Sequence, residues 1–380
     1  MDLPAPIPYN EVDWKSLSTE SDLVALAYGT LHKDLPLELM IVQRRDLLPH
    51  DVAINIEYCG VCHSDWHVLK NEWKNTKYPI VVGHEIVGIV KQVGSSVKKF
   101  RVGDAVGLGP NYNSCRSCSQ CQSHQEQYCA SEVTETYNMP DRRVEELERP
   151  VVATGPITQG GFSSLIVADE RYLLRVPKNA PMEKVAPLLC AGATMWTPLT
   201  EMRVGRGVRV GIAGYGGLGN IGAKLAKSMG AEVIILTTTQ DKLQDAISRG
   251  ADQALWVLDL ELLDKYKETF DLIICTIPFR HDMDPYLELL KPTATMWVVG
   301  AMMPVDVDFD KLNRRGKIIR GSSTAGIAST QQCIDYCIAN NIYPDVELIS
   351  IQDLQGTREG IVTRQVRYRY VVDMATIYGA

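Results

Sequence analysis

Residues that suit metal binding lie in three separated segments of the chain. The first segment holds Cys62, the second holds His84 and Glu85, and the third holds Cys190. Two thiolates and an imidazole bind zinc firmly, and such a set can leave one coordination position open for a substrate oxygen. Taken singly, a cysteine or histidine is more often a core residue. Taken together, these residues predict a catalytic metal site, with Glu85 as an alternate ligand or a nearby charge.

A second group of cysteines follows the spacing C-x2-C-x2-C-x7-C in a polar loop. Four thiolates close a tetrahedron around zinc and leave no position for chemistry. An iron–sulfur cluster also takes four cysteines, but the spacing matches neither common ferredoxin pattern. Chance surface thiols are the other alternative. We therefore predict a structural zinc site formed by Cys115, Cys118, Cys121 and Cys129.

Side chains that could move a proton follow Cys62 closely. An alcohol held at a metal must lose its proton as hydride leaves carbon, so the site needs a relay to water. Ser64 and His67 are close enough in the chain to form that relay, and a neutral imidazole can pass a proton near neutral pH. We expect Asp65 to orient a ligand. His63 is expected to be an exposed histidine, with contact to the cofactor phosphate as the alternative.

A glycine-rich turn joins a strand to a helix in the second half of the chain. Residues 208–213 have the pattern of a strand, and the residues after the turn have helical spacing. Glycines permit the tight turn and bring the backbone close to a pyrophosphate at the helix N-terminus. The turn comprises Gly214, Tyr215, Gly216, Gly217, Leu218 and Gly219. Its setting predicts a dinucleotide site.

The end of the next strand distinguishes NAD from NADP. NAD-binding units usually place an Asp or Glu there, which bonds the ribose 2′-hydroxyl. Here Thr237, Thr238 and Thr239 are followed by Lys242, and hydroxyls with a cation favour the extra phosphate of NADP. Asp241 could offset this charge, and Lys242 could instead be a solvated helix residue.

Composition restricts the class of protein. The chain has 380 residues, with 39 Lys and Arg against 46 Asp and Glu and a net charge of −7, which argues against nucleic acid or an anionic membrane as a partner. No window approaches the roughly 18 apolar residues of a membrane helix. The N-terminus lacks a secretory signal, so we expect a cytoplasmic protein. In a reducing compartment, clustered cysteines indicate metal rather than disulfides.

The pattern of elements predicts two kinds of lobe in an α/β protein. Short strands separated by turns dominate the first part and indicate antiparallel sheet or barrel. Beyond Pro187, strands alternate with helices, which indicates a parallel sheet covered on both faces. The charged stretch 139–159 is predicted to be a surface loop. We predict a catalytic domain over 1–182, a nucleotide domain over 183–320 and a return to the catalytic domain over 321–380.

These motifs resemble the zinc-dependent medium-chain alcohol dehydrogenases, specifically the cinnamyl alcohol dehydrogenase branch and its bacterial and fungal aldehyde-reductase relatives. The likeness runs from about Leu37 to Asp373 and includes the cysteine cluster and the glycine-rich turn. It implies a GroES-like, β-rich catalytic domain with an inserted Rossmann domain, usually as a homodimer. The other matching segments are 59–65, 83–85, 186–192 and 366–370.

The resemblance also implies roles for individual residues. Cys62, His84 and Cys190 match the catalytic zinc ligands, with Glu85 as the alternate, and the relay matches the family's. The implied contacts to NADP(H) are Ser64, Thr194, Gly214 to Gly219, Thr237 to Lys242, Thr276, Gly300, Ser322 and Ser323.

The resemblance implies an NADPH-dependent aldehyde reductase that also works as an alcohol dehydrogenase. An enzyme reducing carbon–carbon double bonds or iminium ions is the alternative within the class, and a nucleotide-binding sensor without turnover is the alternative outside it. Three departures argue against phenylpropanoid specificity. Residues 132–136 lack the aromatic residue of the plant enzymes, Trp66 replaces a common leucine, and the charged stretch from Met139 onward is longer than expected for the family. Trp66, Trp196 and Phe309 are candidate pocket residues, with core packing as the alternative.

Overall fold

The computed structural model describes residues 7–8, 23–141, 157–300, 304–362 and 368–379. The chain forms two compact units. The first comprises 1–190, 326–334 and 346–380, and the second comprises 191–325 and 335–345. Most of the charged stretch, residues 142–156, lies outside the described residues, and the sequence-based division at 182 and 320 stays a prediction. None of the described helices combines the length and apolarity that crossing a bilayer requires.

The first unit begins with short strands and few helices. In β2 every second residue is buried, as expected for a strand with one face on a core. The strands are β1 (Ile7–Pro8), β2 (Val24–Gly29), β3 (Glu38–Gln43), β4 (Asp51–Gly60), β5 (Glu85–Val93), β6 (Ala105–Leu108), β7 (Asn111–Asn113), β8 (Thr134–Glu135), β9 (Leu165–Asp169) and β10 (Leu173–Arg175). The helices are α1 (His63–Leu69), α2 (Ser119–Gln122) and α3 (Met182–Val185).

The second unit is a parallel sheet with alternating helices. Its strand order, β13-β12-β11-β14-β15-β16, is that of a dinucleotide-binding fold. The strands are β11 (Arg209–Ala213), β12 (Glu232–Thr237), β13 (Gln253–Trp256), β14 (Phe270–Cys275), β15 (Leu290–Val298) and β16 (Ile318–Gly321). The helices are α4 (Ala191–Glu201), α5 (Gly217–Ser228), α6 (Asp241–Ser248), α7 (Leu260–Asp264), α8 (Asp284–Leu289), α9 (Phe309–Asn313) and α10 (Ile327–Ala339), which begins in the first unit.

The chain then returns to the first unit through β17 (Val346–Ser350), α11 (Thr357–Val362) and β18 (Arg369–Asp373). A sheet runs β10-β6-β5-β4-β18-β17, with β9 also paired to β4. The long strand β4 therefore carries three partners and organises the core of this unit. Smaller sheets are formed by β1-β3-β2 and by β7-β8. The predicted combination of a β-rich lobe and a parallel α/β lobe is confirmed.

Candidate metal and nucleotide sites

The structure brings Cys62, His84, Glu85 and Cys190 together in the first unit. One ligand atom from each lies within 4.8 Å of all the others. Cys62 immediately precedes α1, Glu85 begins β5, and Cys190 follows a 3-10 turn. His84 Nε2 lies 3.3 Å from Cys190 Sγ. Two sulfurs, one imidazole nitrogen and one carboxylate in this small volume form a donor set that fits zinc.

Glycines allow the ligand segments to approach one another. A Cβ atom on Gly60 would lie 2.0 Å from Glu85 Oε2, so only glycine leaves room for the buried carboxylate. Gly83, next to His84, has φ +103°, and its Cβ would lie 2.9 Å from Cys59 Sγ. A side chain at position 60 would displace Glu85, and one at position 83 would be strained by the positive φ and would clash with the core residue Cys59.

Arg369 is a site residue that the sequence analysis did not identify. Its Nη2 lies 3.1 Å from Glu85 Oε1, and its Nη1 donates to the carbonyl oxygen of Val61. Burial raises the pKa of Glu85 to about 8, against the opposing charge of Arg369. Among the described residues, neither carboxylate oxygen of Glu85 has a hydrogen-bond partner. A buried carboxylate that lacks hydrogen-bond partners and lies beside two sulfurs is a suitable neighbour for a cation.

Neighbouring groups hold Cys62 and His84 in forms that can bind a metal. Cys190 donates a hydrogen bond to Cys62, and this bond, with the positive charge of Arg369, holds the pKa of the Cys62 thiol well below its ordinary value. Asp65, predicted to orient a ligand, is fully buried and lies 3.3 Å from His84 Nδ1. The hydroxyl of Tyr137, a second residue the sequence analysis missed, lies 2.9 Å from the same nitrogen.

The predicted relay residues lie on α1. Ser64 Oγ is 3.6 Å from Cys62 Sγ, and His67 is one helical turn further, on the same face. His67 Nδ1 pairs with Glu72 Oε2 at 2.6 Å, while its Nε2 is buried and has no hydrogen-bond partner among the described residues. His63 stacks on His67 with ring centroids 4.6 Å apart and is half-buried, so the expectation of an exposed histidine was wrong.

The four-cysteine loop also converges. One sulfur from each of its cysteines lies within 4.8 Å of the others, and Cys115 and Cys121 are 3.9 Å apart at sulfur. Backbone N–H groups of Cys118 and Ala130 donate to sulfurs at 3.4 Å. Hydrogen bonds from backbone N–H groups, that of Ser117 foremost, lower the pKa of Cys115 to about 5. Thiolates arranged in this way fit a closed zinc site.

The glycine-rich turn of the second unit joins β11 to α5. Gly214 has φ +92°, and a Cβ there would lie 2.8 Å from Thr276 Oγ1. A Cβ on Gly219 would lie 2.3 Å from the carbonyl oxygen of Gly214, so this position has no room for a side chain. A Cβ on Gly216, by contrast, would meet no atom within 4 Å. Open space at that position is where the backbone of such a turn approaches a pyrophosphate.

The segment after β12 is fixed by hydrogen bonds to its neighbours. Lys242 Nζ donates to the carbonyl oxygen of Tyr215 at 2.8 Å, so Lys242 is not simply a solvated helix residue. Thr239 N donates to Thr237 Oγ1, and Trp256 Nε1 donates to the carbonyl oxygen of Thr238. Lys242 therefore contacts the glycine-rich turn, whereas Thr237 and Thr239 hydrogen bond to each other and Thr238 to Trp256.

The other predicted nucleotide contacts divide between the units. Ser64 belongs to the first unit, and Thr194 lies on α4 of the second. Thr276 Oγ1 donates to the carbonyl oxygen of Ala213, and a Cβ on Gly300 would lie 2.6 Å from the carbonyl oxygen of Ile277. Ser322 Oγ accepts from Trp297, and Ser323 is exposed.

The candidate pocket residues have different environments. Trp66 is buried and donates to Thr357 Oγ1, so it is a core residue. Trp196 is buried against Tyr336, with ring centroids 5.1 Å apart. Phe309 is 70% exposed on α9. Core packing, the alternative considered for Trp66, is therefore what the structure shows.

Comparison with known proteins decides the family. Models of the alcohol dehydrogenase GroES-like domain and of the zinc-binding dehydrogenase match residues 48–178 and 217–338. NADP-dependent alcohol dehydrogenase C 1 of Mycolicibacterium smegmatis is 39% identical over 353 residues, which cover 92% of this chain and 98% of the relative. The chain belongs to the zinc-binding alcohol dehydrogenase family.

Solved structures place this alcohol dehydrogenase within the family. A cinnamyl alcohol dehydrogenase from Sorghum bicolor has a TM-score of 0.88 and 34% identity, covering 93% of this chain and 98% of that one. A Helicobacter pylori CAD complexed with NADP(H) has a TM-score of 0.86 and 38% identity, covering 93% and 99%. The resemblance to the cinnamyl alcohol dehydrogenase branch is confirmed, and the protein is an oxidoreductase with a GroES-like domain and a zinc-binding dehydrogenase domain.

Three residues at the metal site of this alcohol dehydrogenase escaped the sequence analysis. Arg369 lies in segment 366–370, which matches the family, but the sequence analysis gave it no role, and Tyr137 lies outside every matching segment. Glu72 lies five residues after His67 but outside the α1 segment on which the relay was recognised. The one sequence signal that could have identified Arg369 was its charge, because a buried Glu85 needs a cationic partner.

Proposed function

We propose that this alcohol dehydrogenase reduces aldehydes to primary alcohols with NADPH and catalyses the reverse oxidation. The observation that carries the proposal is the convergence of Cys62, His84 and Cys190, with Glu85, in one buried cluster. The net reaction takes a hydride and a proton to the carbonyl group and releases an alcohol and NADP⁺. This chain carries one set of residues suited to the hydride transfer and another suited to the proton transfer.

Cys62, His84 and Cys190 would hold the catalytic zinc, while Glu85 stays paired with Arg369 or serves as an alternate ligand. Cys115, Cys118, Cys121 and Cys129 would hold a second, structural zinc. When bound, zinc supplies a Lewis acid that polarises a carbonyl oxygen, and NADPH supplies the hydride.

Ser64 and His67 would return the proton to the product oxygen. Glu72 binds His67 Nδ1 at 2.6 Å, which fixes the proton of the neutral imidazole on that nitrogen. His67 Nε2 is then the nitrogen that accepts or delivers a proton, and it is the atom that lacks a partner among the described residues. Ser64, beside Cys62 Sγ, is placed to pass that proton between the substrate oxygen and the relay.

The preference for NADP(H) is supported by the segment after β12. Thr237, Thr238, Thr239 and Lys242 offer hydroxyls and an ammonium group where NAD-binding units carry a carboxylate. The mycobacterial relative is named as NADP-dependent, and the Helicobacter structure contains NADP(H). Lys242, already held at the glycine-rich turn, would place its charge near the 2′-phosphate.

Aromatic or allylic aldehydes, such as benzaldehyde or cinnamaldehyde, are the proposed substrates, with aliphatic aldehydes as further candidates. The similarity to the sorghum cinnamyl alcohol dehydrogenase supports this class. In place of the plant aromatic residue the segment 132–136 carries Glu135, whose carboxylate is near enough to His84 for the two charges to interact. A carboxylate in this segment favours smaller or more polar aldehydes over bulky phenylpropanoids.

A homodimer is proposed on the evidence of an unpaired sheet edge. Strand β16 pairs with β15 alone in the described sheet, and all four of its residues are exposed. Ile318 and Ile319 are apolar residues on this edge. An exposed edge of this kind is a template for pairing with another strand, and a second copy of the chain would cover it.

Kinetics of ligand variants test the proposed function. Cys190→Ala and His84→Ala should abolish NADPH oxidation with benzaldehyde while leaving NADPH binding unchanged, because the nucleotide residues lie on other segments. Cys275→Ala, which removes a buried thiol of the second unit, is the matched control and should stay active. Turnover at the wild-type rate in either ligand variant would refute the metal mechanism.

Product analysis separates this function from reduction of a carbon–carbon double bond. Cinnamaldehyde should yield the allylic alcohol. This alcohol and the saturated aldehyde formed by double-bond reduction are isomers of equal mass. They differ in chromatographic retention, and only the alcohol retains alkene protons. Gas chromatography with proton NMR distinguishes the two products. A saturated aldehyde as the main product would support the alternative.

A further inference from the structure

We propose that the buried hydroxyl of Tyr137 is a positioning group for the metal ligand His84, acting as a link between its imidazole and Asp65. This inference rests on the proposed function and adds a residue that neither the sequence motifs nor the ligand set includes. Tyr137 Oη contacts His84 Nδ1 rather than Nε2, the nitrogen that faces Cys190, so its effect would be exerted through His84.

The contact is direct and shielded from water. Tyr137 Oη lies 2.9 Å from His84 Nδ1, and the two rings are tilted with centroids 5.5 Å apart. Tyr137 is 4% exposed and His84 is 5% exposed. A hydrogen bond between groups removed from water holds its partners more firmly than a solvent-exposed one.

Counting donors assigns the direction of each bond. His84 Nε2 points toward Cys190 and must keep its lone pair to bind a metal, so the ring proton belongs on Nδ1. That N–H faces Tyr137 Oη at 2.9 Å and Asp65 Oδ1 at 3.3 Å, and we assign its hydrogen bond to the nearer oxygen. The hydroxyl proton of Tyr137 is then left to donate to the Asp65 carboxylate, with which Tyr137 interacts. A phenol can accept one bond and donate another, whereas phenylalanine can do neither.

Asp65 is itself fixed as the acceptor at the end of this chain of bonds. Its Oδ2 accepts from the backbone N–H of Cys62 at 2.8 Å, and its Oδ1 accepts from that of Gly83 at 3.1 Å. The same carboxylate therefore holds the segments that carry two of the three ligands. Tyr137 extends this hold from the backbone to the imidazole ring.

The backbone around Tyr137 is also anchored, so its hydroxyl is placed before any metal binds. Thr136 Oγ1 donates to the carbonyl oxygen of Gly109, and Asn138 N donates to that of Thr158. Asn138 Oδ1 accepts from the backbone N–H of Lys77 at 2.8 Å. A tyrosine held on both sides loses little further entropy when its hydroxyl orients a ligand.

Zinc retention tests the proposal. The zinc-loaded Tyr137→Phe variant would be titrated with dipicolinate, and released zinc measured colorimetrically. Tyr112→Phe is the matched control, because Tyr112 is equally buried and its hydroxyl donates to the carbonyl oxygen of Val167, away from the ligands. Loss of a group that orients a metal-binding histidine typically costs 10- to 100-fold in metal affinity, so Tyr137→Phe should release one zinc at about tenfold or more lower chelator concentration.

The second zinc serves as an internal reference. It should leave Tyr137→Phe and the wild type at the same chelator concentration, and both zincs should leave Tyr112→Phe as they leave the wild type. Thermal unfolding of both variants reports any general loss of packing. If Tyr137→Phe releases both zincs like the wild type while unfolding as Tyr112→Phe does, the hydroxyl only fills the core and the proposal is overturned.

A double-mutant cycle with Asp65→Asn tests the link itself. If Tyr137 acts through Asp65, removing its hydroxyl should change zinc retention much less in the Asp65→Asn background. Equal effects in both backgrounds would contradict the chain of bonds. Absence of any zinc that depends on Cys190 in the wild type would refute the proposed function and this inference together, whereas unchanged retention in an active, zinc-loaded Tyr137→Phe refutes this inference alone.

Discussion

The carboxylate of Glu85 depends on Arg369, a residue from the opposite end of the chain. Both side chains are buried, and the 3.1 Å ion pair compensates part of the cost of removing their charges from water. Gly60 leaves the room that this carboxylate needs. The positive charge of Arg369 therefore favours the ionised form of Glu85 against the effect of burial, which raises its pKa.

Replacing Arg369 by Met should destabilise the protein by about 3 to 5 kcal/mol, because it leaves the buried carboxyl group of Glu85 without its ion-pair partner. Adding Glu85→Gln should restore much of that loss, since the group left without a partner is then one that cannot ionise. Urea unfolding of zinc-loaded single and double variants measures both effects. Equal stability of Arg369→Met and the wild type would show that the pair contributes nothing.

At the scale of residues, the sequence could identify the metal ligands but not the residues that contact and orient them. Cys62, His84 and the four-cysteine loop carry spacing that reflects coordination geometry. Arg369 and Tyr137 contact Glu85 and His84 only because β18 and the residues after β8 fold against them. Nothing in local spacing encodes such a contact, so the fold is needed to find it.

At the scale of elements, the turn between β11 and α5 contains glycines that are required for different reasons. Gly219 is required by packing, since its Cβ would lie 2.3 Å from the carbonyl oxygen of Gly214. Gly216 faces open space, so its lack of a side chain serves a ligand rather than the fold. The motif predicted a nucleotide site, but only the three-dimensional structure separates the packing requirement at Gly219 from the ligand requirement at Gly216.

Gly216→Ala should leave stability nearly unchanged and weaken NADPH binding by about tenfold or more, since a methyl group would occupy the approach of the pyrophosphate. Gly219→Ala should instead lower the free energy of unfolding by about 1 to 3 kcal/mol through overpacking. Urea unfolding and fluorescence titration with NADPH separate the two effects. NADPH binding at wild-type strength in Gly216→Ala would contradict the proposed position of the pyrophosphate.

Element types and order were predictable because their signals are local. Alternation of strands with helices predicted the parallel sheet of the second unit, and the structure gives it strand order 3-2-1-4-5-6 when counted from β11. The pairing of β18 with β4 could not be predicted in the same way. These two strands come from opposite ends of the chain, and their pairing is determined by packing, which short-range periodicity does not record.

For the whole molecule, the exposed edge of β16 predicts a dimer. The native protein should elute with about twice the 42.2 kDa mass of the chain. Ile318→Glu with Ile319→Glu should give a folded monomer, because like charges facing each other across a paired edge repel. Light scattering after size exclusion, with circular dichroism as the control for folding, checks the result. A dimer that survives both substitutions would place the interface elsewhere.

Anomalous scattering at the zinc edge from a crystal of the native enzyme tests the central claim most directly. The account predicts two zinc peaks per chain, one bonded to Cys62, His84 and Cys190 at about 2.3 Å from sulfur and about 2.1 Å from nitrogen, and one within the four-cysteine loop. A zinc-loaded protein that shows no peak among Cys62, His84 and Cys190 would contradict it.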